Sequence, residues 1–410
     1  MSRIIEAVNI SAIMGIAIPI LIFILILGIV VFIHELGHYL AAKRAGVFVE
    51  EFAIGMGPKL FYFTGKKEQV TIQNPKPEQL PADHVEEPGQ EYAYVEEQAT
   101  IYSLRLFPIG GFCKMRGLDD ESDENDSRAL NNKTVPQRML VMAGGSIMNF
   151  LLAFVLFFVL VFLTGYQTAE IIRLQENSPA HLAGLQIGDR ITHINGARVT
   201  LYENFMLQLE FSAGEPMYIR INRSGEIIRK EITPMQDTRG NWRLGFIPDF
   251  RRGLIDPPFP ADMYRRVGLW GATTNAAEMM LFNIRLPFTM LARWINNQHM
   301  PAGAGVMGPI GMAGEVTQIY QHTIQQGISV TITTMLFFTA LLSAALGLMN
   351  LLPIPAMDGA RLVFLFIEGI RRKPINPEKE GMVHMAGFVL IIGLAIFIAY
   401  RDIVRLLPGS

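Results

Sequence analysis

The sequence predicts a polytopic α-helical membrane protein: four transmembrane helices, a membrane-associated β-sheet and one separate α+β domain. Half of its 410 residues are hydrophobic and 18% are charged, with a mean hydropathy of +0.29, which is too apolar for an ordinary water-soluble enzyme. The apolar residues are also bunched into long runs almost free of charge. Between the second and third runs, from 166 to 250, the composition becomes that of a soluble domain. A net charge of -2 provides no basic footprint and argues against nucleic acid as a partner. Cys113 is the only cysteine, which excludes an internal disulfide and a cysteine zinc site and leaves it as a small apolar residue.

The first region, 1–46, holds an uncharged run from Ser11 to Ile33, interrupted by Pro19 and long enough to cross about 30 Å of hydrocarbon. It is long, lacks a strongly basic start and leads into a histidine motif, so it is expected to stay in the mature protein. The motif is HELGH, at residues 34–38. At about 100° per residue, His34, Glu35 and His38 share one side of a helix, so both imidazoles can reach one ion while the carboxylate faces the same pocket. Two neutral imidazoles leave a tetrahedral zinc room for a third protein ligand and one water, whose proton an adjacent glutamate can take. The string by itself is short enough to occur in packing or surface residues. At membrane depth, however, each ionisable group costs on the order of 2.5–3.5 kcal/mol, so three together require a metal or partners. Lys43 and Arg44 mark this end as cytoplasmic.

The second region, 47–137, is β-rich. Val47 to Phe63 and Thr100 to Phe112 carry aromatic and β-branched residues with glycines and read as strands or hairpins. At membrane depth they must pair with each other, line a wet cavity or add a substrate strand at their edge; a plain cytosolic hairpin is the other reading. Lys66 to Gln98, with several prolines and an acidic bias, reads as a variable, partly ordered loop, and Asp119 to Asn132 as a polar surface linker. The second transmembrane helix, 138–165, contains Gly144, Gly145 and Ser146, which permit close helix packing. Its Asn149 is a polar group in lipid that should face a partner or a substrate backbone.

In the soluble domain, 166–250, the run SPAHLAGLQIGDRITHINGARV from Ser178 combines a helix start, a Gly188–Asp189 turn, a strand at Ile191 to Ile194 and a turn at Asn195 and Gly196. This pattern resembles a PDZ domain. Met217 to Asn222, Glu226 to Ile232 and Arg243 to Ile247 read as further strands. Leu244, Gly245 and Phe246 look like the loop that cradles a peptide carboxylate in permuted bacterial PDZ domains, although a strand end with a glycine has the same letters. The region 251–326 reads as an amphipathic interfacial helix within Pro257 to Met300, followed by the glycine-rich loop PAGAGVMGPIGMAGE. The third transmembrane helix, 327–360, ends in NLLPIPAMDG, where Pro353 and Pro355 unwind the helix and Asp358 stands as either a turn residue or a functional carboxylate. A basic loop at 361–383 marks this end too as cytoplasmic, which puts Asp358 on the same side as His34 and His38. A fourth transmembrane helix and a tail occupy 384–410.

HELGH in the first span, GGSIMNF in the second, a PDZ-like insert, a GPI segment and NLLPIPAMDG in the third, in this order, resemble the site-2 protease family of intramembrane zinc metalloproteases, most closely its bacterial branch. The resemblance covers nearly the whole chain. It implies one bound Zn2+ held by His34, His38 and Asp358, with Glu35 as the base that activates water. It further implies that Asn350, Pro353 and Pro355 help hold an unwound substrate, that Asn149 lies close to the site, and that the β-rich stretch presents substrate as an added strand. A single PDZ-like pattern departs from relatives with two, and the acidic loop departs from the simplest family pattern. The expected activity is peptide-bond hydrolysis in single-span membrane proteins such as anti-sigma factors or remnant signal peptides. The PDZ-like domain would filter substrates, either by receiving peptide C-termini or by excluding bulky chains. The expected location is the bacterial cytoplasmic membrane, with the lipid bilayer as partner, the PDZ-like domain outside and the zinc site toward the cytoplasm. Two rival functions are a non-catalytic PDZ-bearing scaffold and a membrane-tethered metalloprotease acting on soluble chains.

Overall fold

The computed structural model describes residues 10–73, 93–118, 126–238, 240–252, 264–300, 307–373 and 375–406. Four of its helices are long and apolar enough to span a membrane: α1 (Ile10–Arg44), α2 (Val135–Thr164), α7 (Ile328–Leu351) and α9 (Pro377–Leu406). Around them run β1 (Val49–Thr64), β2 (Glu68–Gln73), β3 (Ala93–Gln98) and β4 (Ile101–Met115). After α2 come β5 (Gly165–Leu174), α3 (Pro179–Leu182), β6 (Arg190–Ile194), β7 (Ala197–Arg198), α4 (Tyr202–Ser212), β8 (Met217–Arg223) and β9 (Glu226–Ile232). The rest are β10 (Met235–Gln236), β11 (Trp242–Arg243), β12 (Phe246–Arg252), β13 (Tyr264–Arg266), α5 (Leu269–Ile295), α6 (Pro309–Ile324) and α8 (Asp358–Arg371). The chain divides into two compact units, one of Met1–Leu152, Met307–Met335 and Leu342–Ser410, the other of Ala153–Val306 and Leu336–Leu341.

In the first unit, β1 and β4 each fold back at their glycines. Val49 to Ile54 pairs on one side with Gly111 to Met115 and on the other with Ile101 to Leu104, whose far side takes Lys59 to Thr64. The result is a four-segment antiparallel sheet made from two strands. Glu51 ties three of these segments together, accepting from Ser103 Oγ at 2.6 Å and Arg105 Nη2 at 2.7 Å and pairing with Lys59 Nζ at 3.1 Å. Phe61, Tyr62, Phe63 and Phe107 are exposed near the turns and make this end of the sheet an apolar, aromatic surface. At the other end Val47, Val49, Phe52, Cys113 and Met115 join Ala42, Val141 and Met142 in a buried core that fixes the sheet to the ends of α1 and α2.

Four stretches differ from the sequence reading, the first being the basic loop expected at 361–383, most of which is helical because α8 runs on to Arg371 and α9 starts at Pro377. The segment read as a loop from Lys66 to Gln98 begins and ends in paired strands, β2 and β3, while its acidic middle, 74–92, lies outside the described residues. Residues 119–125 of the polar linker also lie outside them. The glycine-rich loop is only partly a loop. Its residues 301–306 lie outside the described residues, but α6 starts at Pro309, a favoured first helical residue. The cap is remote: buried Asp402 of α9 accepts the N–H groups of Gly308 and Gly311 at 2.9 Å each, which sequence spacing does not reveal. The fourth span is also longer than the sequence suggested, since α9 covers Pro377–Leu406.

The second unit holds a sheet in the order β13-β12-β5-β6-β8-β9, with β7 beside β6. Its core includes Ile171, Ile191, Ile194, Phe205, Leu209, Met217, Ile219 and Ile221, the inward faces of the strands and of α4. Ser178 Oγ caps α3 by accepting the His181 N–H, as the sequence signal implies. Asp189 is fully buried; its carboxylate accepts from Arg223 Nε at 2.7 Å, Arg223 Nη2 at 2.8 Å and the Gln186 N–H at 2.8 Å. Burial by itself would raise its pKa, but the Arg223 guanidinium and then the Gln186 N–H outweigh burial and hold the carboxyl below the usual range.

Asp189→Asn is expected to destabilise this domain by about 2–3 kcal/mol, since Arg223 is partly solvated and part of the loss is screened. In a thermal melt of the full chain its transition should fall by roughly 10 °C. A depressed carboxylate stabilises above its unfolded pKa of about 3.9, and that contribution is lost as pH falls through the lower folded value. The gap between wild type and variant should therefore be full at neutral pH and close below about pH 4. A constant gap across that range would remove the carboxylate from this role.

Candidate metal centre

The centre is built from two helices of the first unit and the turn that follows a third. On α1, His34 and His38 lie one turn apart and are 6% and 5% exposed. On α2, Gly144 meets Gly37 of α1 so closely that a Cβ at 144 would stand 2.6 Å from the Gly37 carbonyl oxygen. That backbone contact brings Gly145 under the imidazoles, where a Cβ would lie 2.5 Å from both His34 Cε1 and His38 Nε2. The third part follows α7. After Leu351 the chain turns through Pro353 and Pro355, with Ala356 at φ 73°, and α8 begins at Asp358. Gly359 is pressed against the Leu351 and Leu352 carbonyls, which leaves no room for a side chain and fixes where Asp358 emerges.

Three donor atoms converge. His34 Nε2 and His38 Nε2 are 3.2 Å apart, and Asp358 Oδ2 lies 3.2 Å from the first and 3.1 Å from the second. A four-coordinate zinc with bonds of about 2.0–2.1 Å places its ligands about 3.3–3.4 Å apart, so the triangle has the size of three corners of such a site. The imidazole orientations also suit a metal. His38 Nδ1–H donates to the Val141 carbonyl at 2.9 Å, leaving Nε2 as the lone-pair nitrogen. The Asn149 amide stands 3.2 Å from His34 Nδ1. With Nε2 of His34 turned to an ion, Nδ1 carries the proton, and the amide oxygen is the group that accepts it. Ser343 Oγ–H donates to the Asn149 backbone carbonyl at 2.8 Å and secures α2 against α7 at this level.

Glu35 lies beside the triangle and against β4, its Cγ 3.3 Å from where a Gly111 Cβ would be. Among the described residues, His34, His38 and Asp358 are the only cluster of three or more metal-ligating side chains. Burial pushes the Cys113 thiol up to about 12, which keeps it protonated and out of metal chemistry.

Of the other residues singled out by the sequence, Asn350 Nδ2 reaches to 3.5 Å from His34 Nε2. Pro355 packs on Gly387 of α9, while Pro353 is exposed. In the second unit, Leu244, Gly245 and Phe246 line a groove of about 630 Å³ with Tyr202, Phe205 and Met206. The Gly245 carbonyl accepts from the Gln175 N–H at 2.9 Å and Ser178 Oγ–H at 3.1 Å, and its φ is 81°. Gly145 is the residue whose part the sequence reading missed. Its neighbours in a GGS run indicate helix packing, whereas the position itself keeps a side chain out of the metal site.

Gly145→Ala is accordingly expected to lower bound zinc by at least about tenfold without touching a ligand, since the new methyl overlaps two coordinating rings. Metal analysis of the purified protein checks this; full zinc occupancy would mean that the helices part easily.

The model of peptidase family M50 matches residues 22–73 and 85–394. A protein of Clostridium perfringens that carries a zinc metalloprotease name is 31% identical over 91% of this chain and 95% of its own length. The zinc metalloprotease RasP of Shouchella clausii is 30% identical over 94% and 98%. Among solved structures, the PDZ domain of the SdrC-like protein of Listeria innocua overlaps 20% of this chain and 92% of that one, with a TM-score of 0.19 and 23% identity. A likeness of that size adds nothing to the strand and helix order described above. The sequence match, by contrast, takes in both imidazoles on α1, the glycines of α2 and the carboxylate that opens α8, and by it the chain belongs to peptidase family M50, the site-2 protease family of zinc metalloproteases.

Proposed function

We propose that this zinc metalloprotease cuts single-span membrane proteins within or at the edge of the bilayer, with His34, His38 and Asp358 as its zinc ligands and Glu35 as its general base. The observation that carries this reading is the triangle of donor atoms, 3.1–3.2 Å on a side, beside a carboxylate and at the ends of helices built for lipid. When bound there, zinc supplies a Lewis acid for the scissile carbonyl and acidifies a water. Glu35 takes the proton from that water and returns it to the leaving amine. Asn149 fixes the tautomer of His34, and Val141 that of His38.

A substrate helix must open before it can be cut, because its amides are shielded by their own hydrogen bonds. The edge segment Gly111 to Met115, which lies against Glu35, offers a strand to which the opened backbone can add. Asn350, Pro353 and Pro355 would steady the opened segment from the opposite side. The PDZ-like domain would act as a filter for chains already shortened by another protease, its groove at Leu244, Gly245 and Phe246 receiving peptide ends. Lys43, Arg44 and Arg371 to Lys373 favour a cytoplasmic metal centre in a bacterial inner membrane. Anti-sigma factors and remnant signal peptides have the required single-span form.

The test is to give the purified full-length chain, with zinc bound, a single-span model substrate and an unfolded soluble protein at equal concentration. Cleavage of the first at a rate at least about tenfold higher is expected, since only it carries the helix that the lipid-facing core accommodates. Equal rates would favour a tethered protease for soluble chains. No cleavage of either would favour a scaffold.

A further inference from the structure

The second unit contains a cavity of about 830 Å³ that peptide hydrolysis does not use. One wall is a face of the sheet, with Thr168 and Glu170 of β5, Arg190 and Thr192 of β6, and Arg251 of β12. The other wall is the start of α5, where Gly268, Gly271, Asn275 and Glu278 repeat at helical spacing. Gly268 caps this helix without a side chain, so the N–H groups of its first turn have no intrahelical acceptor.

The charges are unequal. Arg190, Arg198 and Arg251 face two carboxylates, and both carboxylates are engaged: Glu170 with Arg251 at 3.5 Å and Glu278 with Thr200 Oγ1 at 3.1 Å. Arg190 and Arg198 have no ion-pair partner among the described residues. Burial, followed by the nearby Arg220 and Arg198, pushes the half-buried His193 below its usual pKa, as a cationic surround should. Asn275 is 7% exposed and lines the cavity, and its side-chain oxygen has no partner among the described residues. A buried amide without a partner in a roomy polar space implies a group that belongs there.

The surroundings indicate what carries that group. Next to the first turn of α5, Leu269 and Trp270 are 66% and 79% exposed, and Leu291, Trp294 and Ile295 continue the outward apolar surface toward its far end. A helix of this kind lies at a membrane surface with its tryptophans at headgroup depth. We propose that the cavity holds a phosphate group presented by an anionic glycerophospholipid, whose acyl chains run past Leu269 and Trp270 into the bilayer. Arg190, Arg198 and the first-turn N–H groups of α5 bind the phosphate oxygens, and Asn275 binds the glycerol. The site would hold the PDZ-like unit to the lipid surface whatever the enzyme cuts.

Native mass spectrometry of the full-length, delipidated protein tests this with three probes: phosphatidylglycerol, diacylglycerol and free glycerol 3-phosphate. Wild type is expected to retain one phosphatidylglycerol, and the Arg190→Ala/Arg198→Ala variant to bind it at least about tenfold more weakly. Asn275→Asp, which sets a negative charge on the opposite wall, should show the same loss. Undiminished retention by both variants overturns the site. Equal retention of diacylglycerol overturns the phosphate, and glycerol 3-phosphate binding as tightly as the lipid overturns the bilayer as its source.

Discussion

Glu35→Gln is expected to reduce peptide hydrolysis by at least about a thousandfold while zinc stays bound at wild-type stoichiometry, since a positioned general base contributes about 10²–10⁴. The substitution is close to a pure test of proton transfer. Gln has the size of Glu, so its contact with Gly111 is unchanged. What it loses is a basic site. Parallel assays of single-span substrate cleavage and metal content decide the matter. Activity within about tenfold of wild type would dismiss Glu35 as the base, and loss of zinc together with activity would give it a part in holding the metal.

Asp358→Asn should have the opposite signature. It removes the charge from one corner of the donor triangle, and the expected result is a loss of zinc affinity greater than the 10–100-fold typical of residues that only support a ligand. Cleavage should fall in proportion to the metal lost and recover in part at high zinc. The fold should survive, because Asp358 stands at the first turn of α8 and the contact of Gly359 with the end of α7 is untouched. Metal titration of the variant is the measurement, and unchanged affinity would leave the centre with two protein ligands.

Much of this centre is legible in the sequence. The i, i+4 histidines of α1 carry their own geometry, and the prolines before Asp358 announce a helix end that the backbone does contain. The spans were legible because lipid demands long uncharged runs. What could not be read was whatever depends on backbone atoms or distant partners. Val141 supports His38 through a carbonyl, which any residue at that position would offer. The sequence of α6 reads as loop because its cap is Asp402, more than 90 residues away. The stretches of β1 and β4 read as strands or hairpins, but the interleaving of their halves into one four-segment sheet depends on partners that only the tertiary structure supplies. Gly145 was legible as a small residue and not as the clearance around two rings.

The contact of Gly37 with Gly144 fixes how the first two spans can move. Turning α2 by one residue, about 100°, would bring Ser146 under the imidazoles in one sense and Ala143 against the Gly37 carbonyl in the other, and advancing it by one turn, about 5.4 Å, would drive Val141 or Asn149 against the imidazoles. Neither spin nor slide is open to this pair. They form a keyed anvil, and the travel needed to admit and release a polypeptide has to come from the helices around it.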